Sequence, residues 1–220
     1  MRIVYLGSGE FGVPTFARLC EEHEVALVIT QPDRPAGRHR KLTPTPIADQ
    51  AAARHIDLLK PDDANASDVL ERVGALEPDA MVVVAFGQYL KQALVEIPRL
   101  GAMNLHASLL PKYRGAAPIA AAILHGERQT GNTVMRIAPK MDAGAILGQQ
   151  AIPIDPLETA GELHDRLAGL GPDLVLNVLR GLDERRIVEI EQDASQATLA
   201  PKLSRADGWV AFGASCHEVR

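Results

Sequence analysis

Met81-Val82-Val83-Val84-Ala85 is an unbroken apolar run rich in β-branched residues. Such a run has no polar face, so as a strand it needs cover on both sides, as in the interior of a parallel sheet. It stands in a chain where strand-like and helix-like stretches alternate. Strands are expected at residues 3–6, 25–29, 81–85, on entry to Asn104, at 130–138 and at 145–154, with 56–59 as a short further candidate. Helices are expected from the third glycine of Gly7-Ser8-Gly9-Glu10-Phe11-Gly12 to about Glu22, and from Pro46 to about Arg54 behind a Thr45 N-cap. Others run to about Leu76 behind a Ser67 cap and over residues 116–125. A long one is opened by the Thr159-Ala160-Gly161-Glu162 capping box and ends near Gly181. Six strands interspersed with helices predict an α/β, doubly wound, mostly parallel sheet. The strands at 130–138 and 145–154, joined only by the loop around Asp142, should pair antiparallel.

Length allows one substantial domain, or one and part of another: the chain has 220 residues. Hydrophobic content of 46% suffices for a packed core, and a net charge of −5 argues against general nucleic-acid coating while leaving room for a local basic patch. Cys20 and Cys216 lie far apart, outside any metal-ligand spacing, and read as free thiols in a reducing cytoplasm. Met1-Arg2 enters the first strand directly, and no apolar run reaches the roughly 20 residues of a membrane span. A cytoplasmic monomer is expected. Residues 1–187 read as a catalytic domain, 188–206 as a linker, and 207–220 as the start of a truncated second domain. About thirteen residues cannot build a core of their own.

Asn104-Leu105-His106-Ala107-Ser108-Leu109-Leu110-Pro111 carries the chemistry. On a strand, Asn104 and His106 project from one face. The following proline and glycine put them near a strand end, where open sheets keep their sites. His106 can exchange protons near neutral pH, worth roughly 10²–10⁴-fold in rate. The Asn104 amide can donate to an oxyanion. Asp142, on a Gly-bounded loop, can orient His106 and favour its cationic form. No GxSxG elbow, Walker loop or metal-spaced cluster competes, so direct transfer without a metal is expected. A structural histidine is the bland alternative for His106.

Three other stretches each have two readings. Gly7-Ser8-Gly9-Glu10-Phe11-Gly12 is a literal GxGxxG, but Asp33 lies in a Pro-rich loop rather than at the tip of strand two. A tight strand-to-helix turn without a nucleotide fits better. The loop between Pro32 and Pro46 carries Arg34, Arg38, Arg40 and Lys41 around Gly37. It is either a solvated basic loop or a phosphate-gripping arm. Phe86-Gly87-Gln88-Tyr89-Leu90 can wall a flat heterocycle or pack at a strand end.

These residues together resemble the 10-formyltetrahydrofolate-dependent formyltransferase family. The likeness rests on the Asn104–Pro111 stretch with the later Asp142, and on Gln31-Pro32-Asp33-Arg34-Pro35-Ala36-Gly37-Arg38, Pro98-Arg99-Leu100-Gly101 and Tyr113-Arg114-Gly115-Ala116-Ala117-Pro118-Ile119. It implies a Rossmann-like formyltransferase domain with Asn104, His106 and Asp142 as the catalytic trio and 10-formyltetrahydrofolate as donor. The pterin would lie between Phe86, Gly87, Gln88, Tyr89 and Leu90 on one side and the loop bearing Ala138 and Met141 on the other. Ser108, Leu109, Leu110 and Pro111 would shape that site. The implied acceptor is the α-amine of initiator methionyl-tRNA, in translation initiation. Arg34, Arg38, Arg40 and Lys41 would grip its acceptor arm, and Phe11 would lie near the methionyl end. The resemblance also implies a β-barrel second domain, essentially missing here. Rival acceptors are a sugar-nucleotide amine and glycinamide ribonucleotide, the latter opposed by Glu10 in the first loop. An NAD(P)-dependent oxidoreductase and a non-catalytic tRNA-binding module are more distant readings.

Overall fold

A computed structural model describes residues 1–38, 40–209 and 213. Cys216 and most of the expected second-domain start lie outside those residues. β1 (Arg2–Gly7), β2 (Glu24–Ile29), β5 (Leu58–Leu59), β6 (Ala80–Val84) and β7 (Ala102–His106) pair parallel with their neighbours. β9 (Gln129–Arg136) runs antiparallel to β7, and β10 (Ile146–Pro153) antiparallel to β9. The sheet order is β10-β9-β7-β6-β1-β2-β5. Among the described residues it therefore has seven strands rather than six, the short candidate at Leu58–Leu59 taking one edge.

Alternation along each strand sends side chains to two cores. Ile3, Tyr5, Val82, Val84, Met103 and Leu105 pack with α1 (Val13–Glu22), α2 (Pro46–Ala53) and α6 (Ala160–Asp183). Val4, Leu6, Met81 and Val83 pack with α3 (Ser67–Gly74) and α4 (Gln92–Val95). Helices on both faces make the sheet doubly wound. The run at 80–84 is buried throughout, as its composition demands.

Local signals place the helices. The Thr45 side chain accepts the Ala48 N–H at 3.1 Å, and Pro46 opens α2. Thr159 and Glu162 form a reciprocal capping box at the start of α6. Ser67 stands one residue inside α3 instead of capping it, because Ala66 is the N-cap. α5 (Pro118–Leu124) is shorter than expected at its start.

One expectation needs correction. The segment between Pro32 and Pro46 is not a plain loop: β3 (Arg34–Ala36) pairs antiparallel with β4 (Lys41–Thr43) in a short ribbon closed by Arg40 N–H donating to Gly37 O at 3.2 Å. The stretch at 188–206 is ordered against the domain. Its β11 (Leu199–Ala200) pairs parallel with β8 (Arg114–Gly115), and Arg205–Gly208 forms a short 3-10 turn. Among the described residues no helix is long and apolar enough to cross a membrane.

Candidate active site

β7 ends at His106, next to the carboxyl end of β6. The carboxyl ends of the strands are where open α/β sheets usually bind ligands. Met103 and Leu105 belong to the α1/α6 core, so Asn104 and His106 share the opposite face. His106 is 6% exposed. Its Nε2 lies 2.9 Å from the Tyr113 carbonyl oxygen. A carbonyl oxygen only accepts, so Nε2 carries the proton. Nδ1 faces Asp142 Oδ2 at 3.7 Å, close enough for charge attraction and too far for a hydrogen bond. Nδ1 is thus the ring nitrogen that the backbone leaves free, with the Asp142 carboxylate beside it.

Both partners of His106 occupy uncommon backbone. Tyr113 has φ 62° and Asp142 φ 50°, in the left-handed region where a non-glycine residue stays only when its surroundings hold it. Asp142 Oδ2 also accepts the Gly115 N–H at 2.8 Å. The Tyr113 ring is fixed by its hydroxyl, which donates to Glu127 Oε1 at 2.8 Å, while Lys112 Nζ reaches the same oxygen at 3.0 Å. Burial, and then the bond to Glu127, push the Tyr113 hydroxyl up to about 12. The same bond and Lys112 hold the Glu127 carboxyl below its usual range.

The turn at 108–111 is pinned from β9 and β10. Thr133 Oγ1 donates to Ser108 O at 2.6 Å and accepts the Leu110 N–H at 3.1 Å. Gln149 Nε2 donates to Thr133 Oγ1 and to Leu110 O, both at 2.9 Å. Ser108 and Leu110 are buried, Leu109 and Pro111 half-buried, and the Leu110–Pro111 peptide is cis.

Across this face, the expected donor-binding stretch divides. Phe86 and Leu90 are buried in the α3/α4 core. Gly87 and Tyr89 are exposed. Gln88 spends its amide on the scaffold, accepting the Ala64 N–H at 2.8 Å and donating to Pro61 O at 3.0 Å. Tyr89 Oη approaches Pro139 O at 3.5 Å, so the 86–90 and 138–142 segments face each other. Ala138 is half-buried and Met141 is 70% exposed.

Arg34, Arg38, Arg40 and Lys41 are all exposed on the β3–β4 ribbon. Arg34 Nη2 donates to Gln31 Oε1 at 3.0 Å. Phe11 lies elsewhere: it is 7% exposed in the α1/α6 core and edge-on to His164, with ring centroids 5.4 Å apart. Little of its ring is left for an acceptor. The GxGxxG glycines have a packing reason. A Cβ on Gly12 would sit 2.4 Å from Tyr5 Oη, the hydroxyl that donates to Gly12 O at 2.9 Å. Asp33 is taken by Lys60 Nζ at 2.5 Å.

Sequence patterns leave three supports undetected. The Tyr113 carbonyl is a backbone atom, which no side-chain motif encodes. Thr133 looks like any inward residue of a strand, and Gln149 like any polar residue on an edge strand. Only the tertiary pairing of β7, β9 and β10 brings them to the 108–111 turn.

Residues 1–179 match the family model described as Formyl transferase. The chain belongs to the formyl transferase family. This formyltransferase is 47% identical over 208 residues to the methionyl-tRNA formyltransferase of Methylococcus capsulatus, a match that covers 94% of this chain and 68% of that one. It is 42% identical over 218 residues to the methionyl-tRNA formyltransferase of Macrococcus caseolyticus, covering 99% and 70%. A sugar 3N-formyl transferase solved in the presence of dTDP and 5-N-formyl-THF superposes with a TM-score of 0.72 at 19% identity, over 100% of this chain and 76% of that one. That structural likeness carries the Rossmann-like formyltransferase fold. Family membership supports a folate-derived formyl donor for this formyltransferase.

Proposed function

We propose that this chain transfers the formyl group of 10-formyltetrahydrofolate to the α-amine of initiator methionyl-tRNA, supplying the formylated initiator for translation. The observation that carries the chemistry is the His106 ring held between the Tyr113 carbonyl and the Asp142 carboxylate. Asn104 stands two residues before it on the same face. The acceptor follows from the identity with methionyl-tRNA formyltransferases over nearly the whole chain, and the exposed cations of the β3–β4 ribbon suit a polyanion.

In this reading the amine attacks the formyl carbon and forms a C–N bond. Asn104 and the protonated Nδ1 of His106 stabilise the oxyanion that develops. The bond from carbon to N10 then breaks. One proton leaves the amine and one reaches N10, and His106 with Asp142 moves it between them. The pterin lies between the 86–90 and 138–142 segments, with Gly87, Tyr89 and Met141 as its exposed surfaces and the 108–111 turn as its floor. Arg34, Arg38, Arg40 and Lys41 hold the acceptor arm.

A formyl-transfer assay offering methionyl-tRNA, glycinamide ribonucleotide and a 4-amino-sugar nucleotide to the same enzyme tests the acceptor. Methionyl-tRNA should be formylated with the highest kcat/KM. Preference for either small amine would overturn the tRNA reading while leaving formyl transfer intact.

A further inference from the structure

The segment after α6 lies against the two loops that hold His106. Ile190 bridges Ile146 through paired backbone bonds of 2.8 and 3.0 Å. Gln192 then turns inward. Its Nε2 donates to Asp142 O at 2.9 Å and to Gly144 O at 2.8 Å. Its Oε1 accepts from Arg114 Nε at 3.0 Å and Nη2 at 2.7 Å. Arg114 is 4% exposed, so this bond satisfies a buried cation that would be costly to leave unpaired. Six residues on, Thr198 Oγ1 accepts the Tyr113 N–H at 2.8 Å and Thr198 O accepts the Arg114 N–H at 2.9 Å. The fit is close. Gly115 has φ 122°, and a Cβ there would lie 2.6 Å from the Ala200 carbonyl oxygen.

The two residues that this strap grips are those that flank His106. Gln192 bonds the carbonyl of Asp142, whose carboxylate faces Nδ1. Thr198 bonds the amide of Tyr113, whose carbonyl takes Nε2. Both gripped residues sit at positive φ and need external restraint. We propose that Gln192 and Thr198 are positioning residues of the transfer reaction, holding Asp142 and the Tyr113 carbonyl in register with His106 from one strap. The inference rests on the formyltransferase reading above and adds a part to that site. Neither residue touches the reacting atoms. They act through groups whose displacement by about 1 Å costs on the order of 10²-fold in rate.

The test is steady-state formylation of methionyl-tRNA by the 220-residue chain with 10-formyltetrahydrofolate. Gln192→Glu keeps the acceptor for Arg114 and the packing, but sets a carboxylate oxygen against the Asp142 and Gly144 carbonyls. Thr198→Val removes only the hydroxyl that accepts the Tyr113 N–H, and Thr198→Ser restores it. In Gln192→Glu and Thr198→Val, kcat should fall roughly tenfold or more while KM for the folate stays within about threefold. Thr198→Ser should recover most of the loss. A kcat within about twofold of wild type removes that residue from the role, and an equal loss in Thr198→Ser and Thr198→Val reduces Thr198 to packing. Should Gln192→Glu misfold, the two Thr198 variants still decide. An inactive wild-type chain would instead sink the underlying functional reading.

Discussion

His106 is held by one backbone carbonyl and faced by one carboxylate, and that division of labour decides what each neighbour does. From the sequence, Asp142 is the residue expected to orient the ring. At 3.7 Å it faces the ring by charge, while the oriented hydrogen bond goes to Tyr113 O at 2.9 Å. The candidate pair is legible because Asn and His at i, i+2 share a face in any strand. The orienting atom is not, because it belongs to the main chain. Replacing Asn104 with Ala should remove one oxyanion donor and lower kcat by about 10²–10³-fold in the formylation assay. The Tyr113–Glu127 bond gives a second expectation at this scale. The Tyr113 hydroxyl is raised, so its contribution to stability is complete below the unfolded value of about 10 and is lost as pH rises through about 12. The Glu127 carboxyl is lowered, so its contribution is present above the unfolded value of about 4.3 and is lost as pH falls. Denaturant titrations of wild type and Tyr113→Phe should differ most between these limits and converge outside them. A gap that stays constant with pH would deny the linkage.

Among the elements, legibility follows length and local signals. α6 is readable to within two residues of its end because a capping box and a helical apolar period both lie within it. The β3–β4 ribbon has the sequence of a loop. Its strands have three residues each, too few to show alternation, and Arg34, Pro35 and Lys41 make up half of them. The two-residue pairing of β8 with β11 is invisible for the same reason, so the strap has the sequence of a linker. Thr159→Ala tests the capping signal apart from the chemistry. It removes a side-chain acceptor for the Glu162 N–H, and should cost about 0.5–2 kcal/mol in chemical denaturation. Formylation kinetics should be unchanged, since the cap lies on a surface helix end.

At the scale of the molecule, the fold brings together residues spread across the chain from Phe86 to Thr198. The mostly parallel architecture follows from alternating elements and one fully apolar strand. The meeting of the 86–90, 106–115 and 138–144 segments with the strap needs the three-dimensional fold. Charge is divided in the same way. A chain of net charge −5 carries four exposed cations on one short ribbon. Neutralising Arg38 and Arg40 to Gln should weaken methionyl-tRNA use at low salt and lower the slope of log K against log salt by roughly one for each phosphate that is no longer neutralised. An unchanged slope would return the ribbon to solvated surface. The central claim, that β7 presents His106 as the proton-transferring group of formyl transfer, is tested most directly by one measurement. This is the single-turnover rate of methionyl-tRNA formylation by wild type and His106→Ala, with both substrates saturating. The predicted result is a loss of about 10²-fold or more with folate binding retained. A rate for His106→Ala within a few-fold of wild type would contradict it.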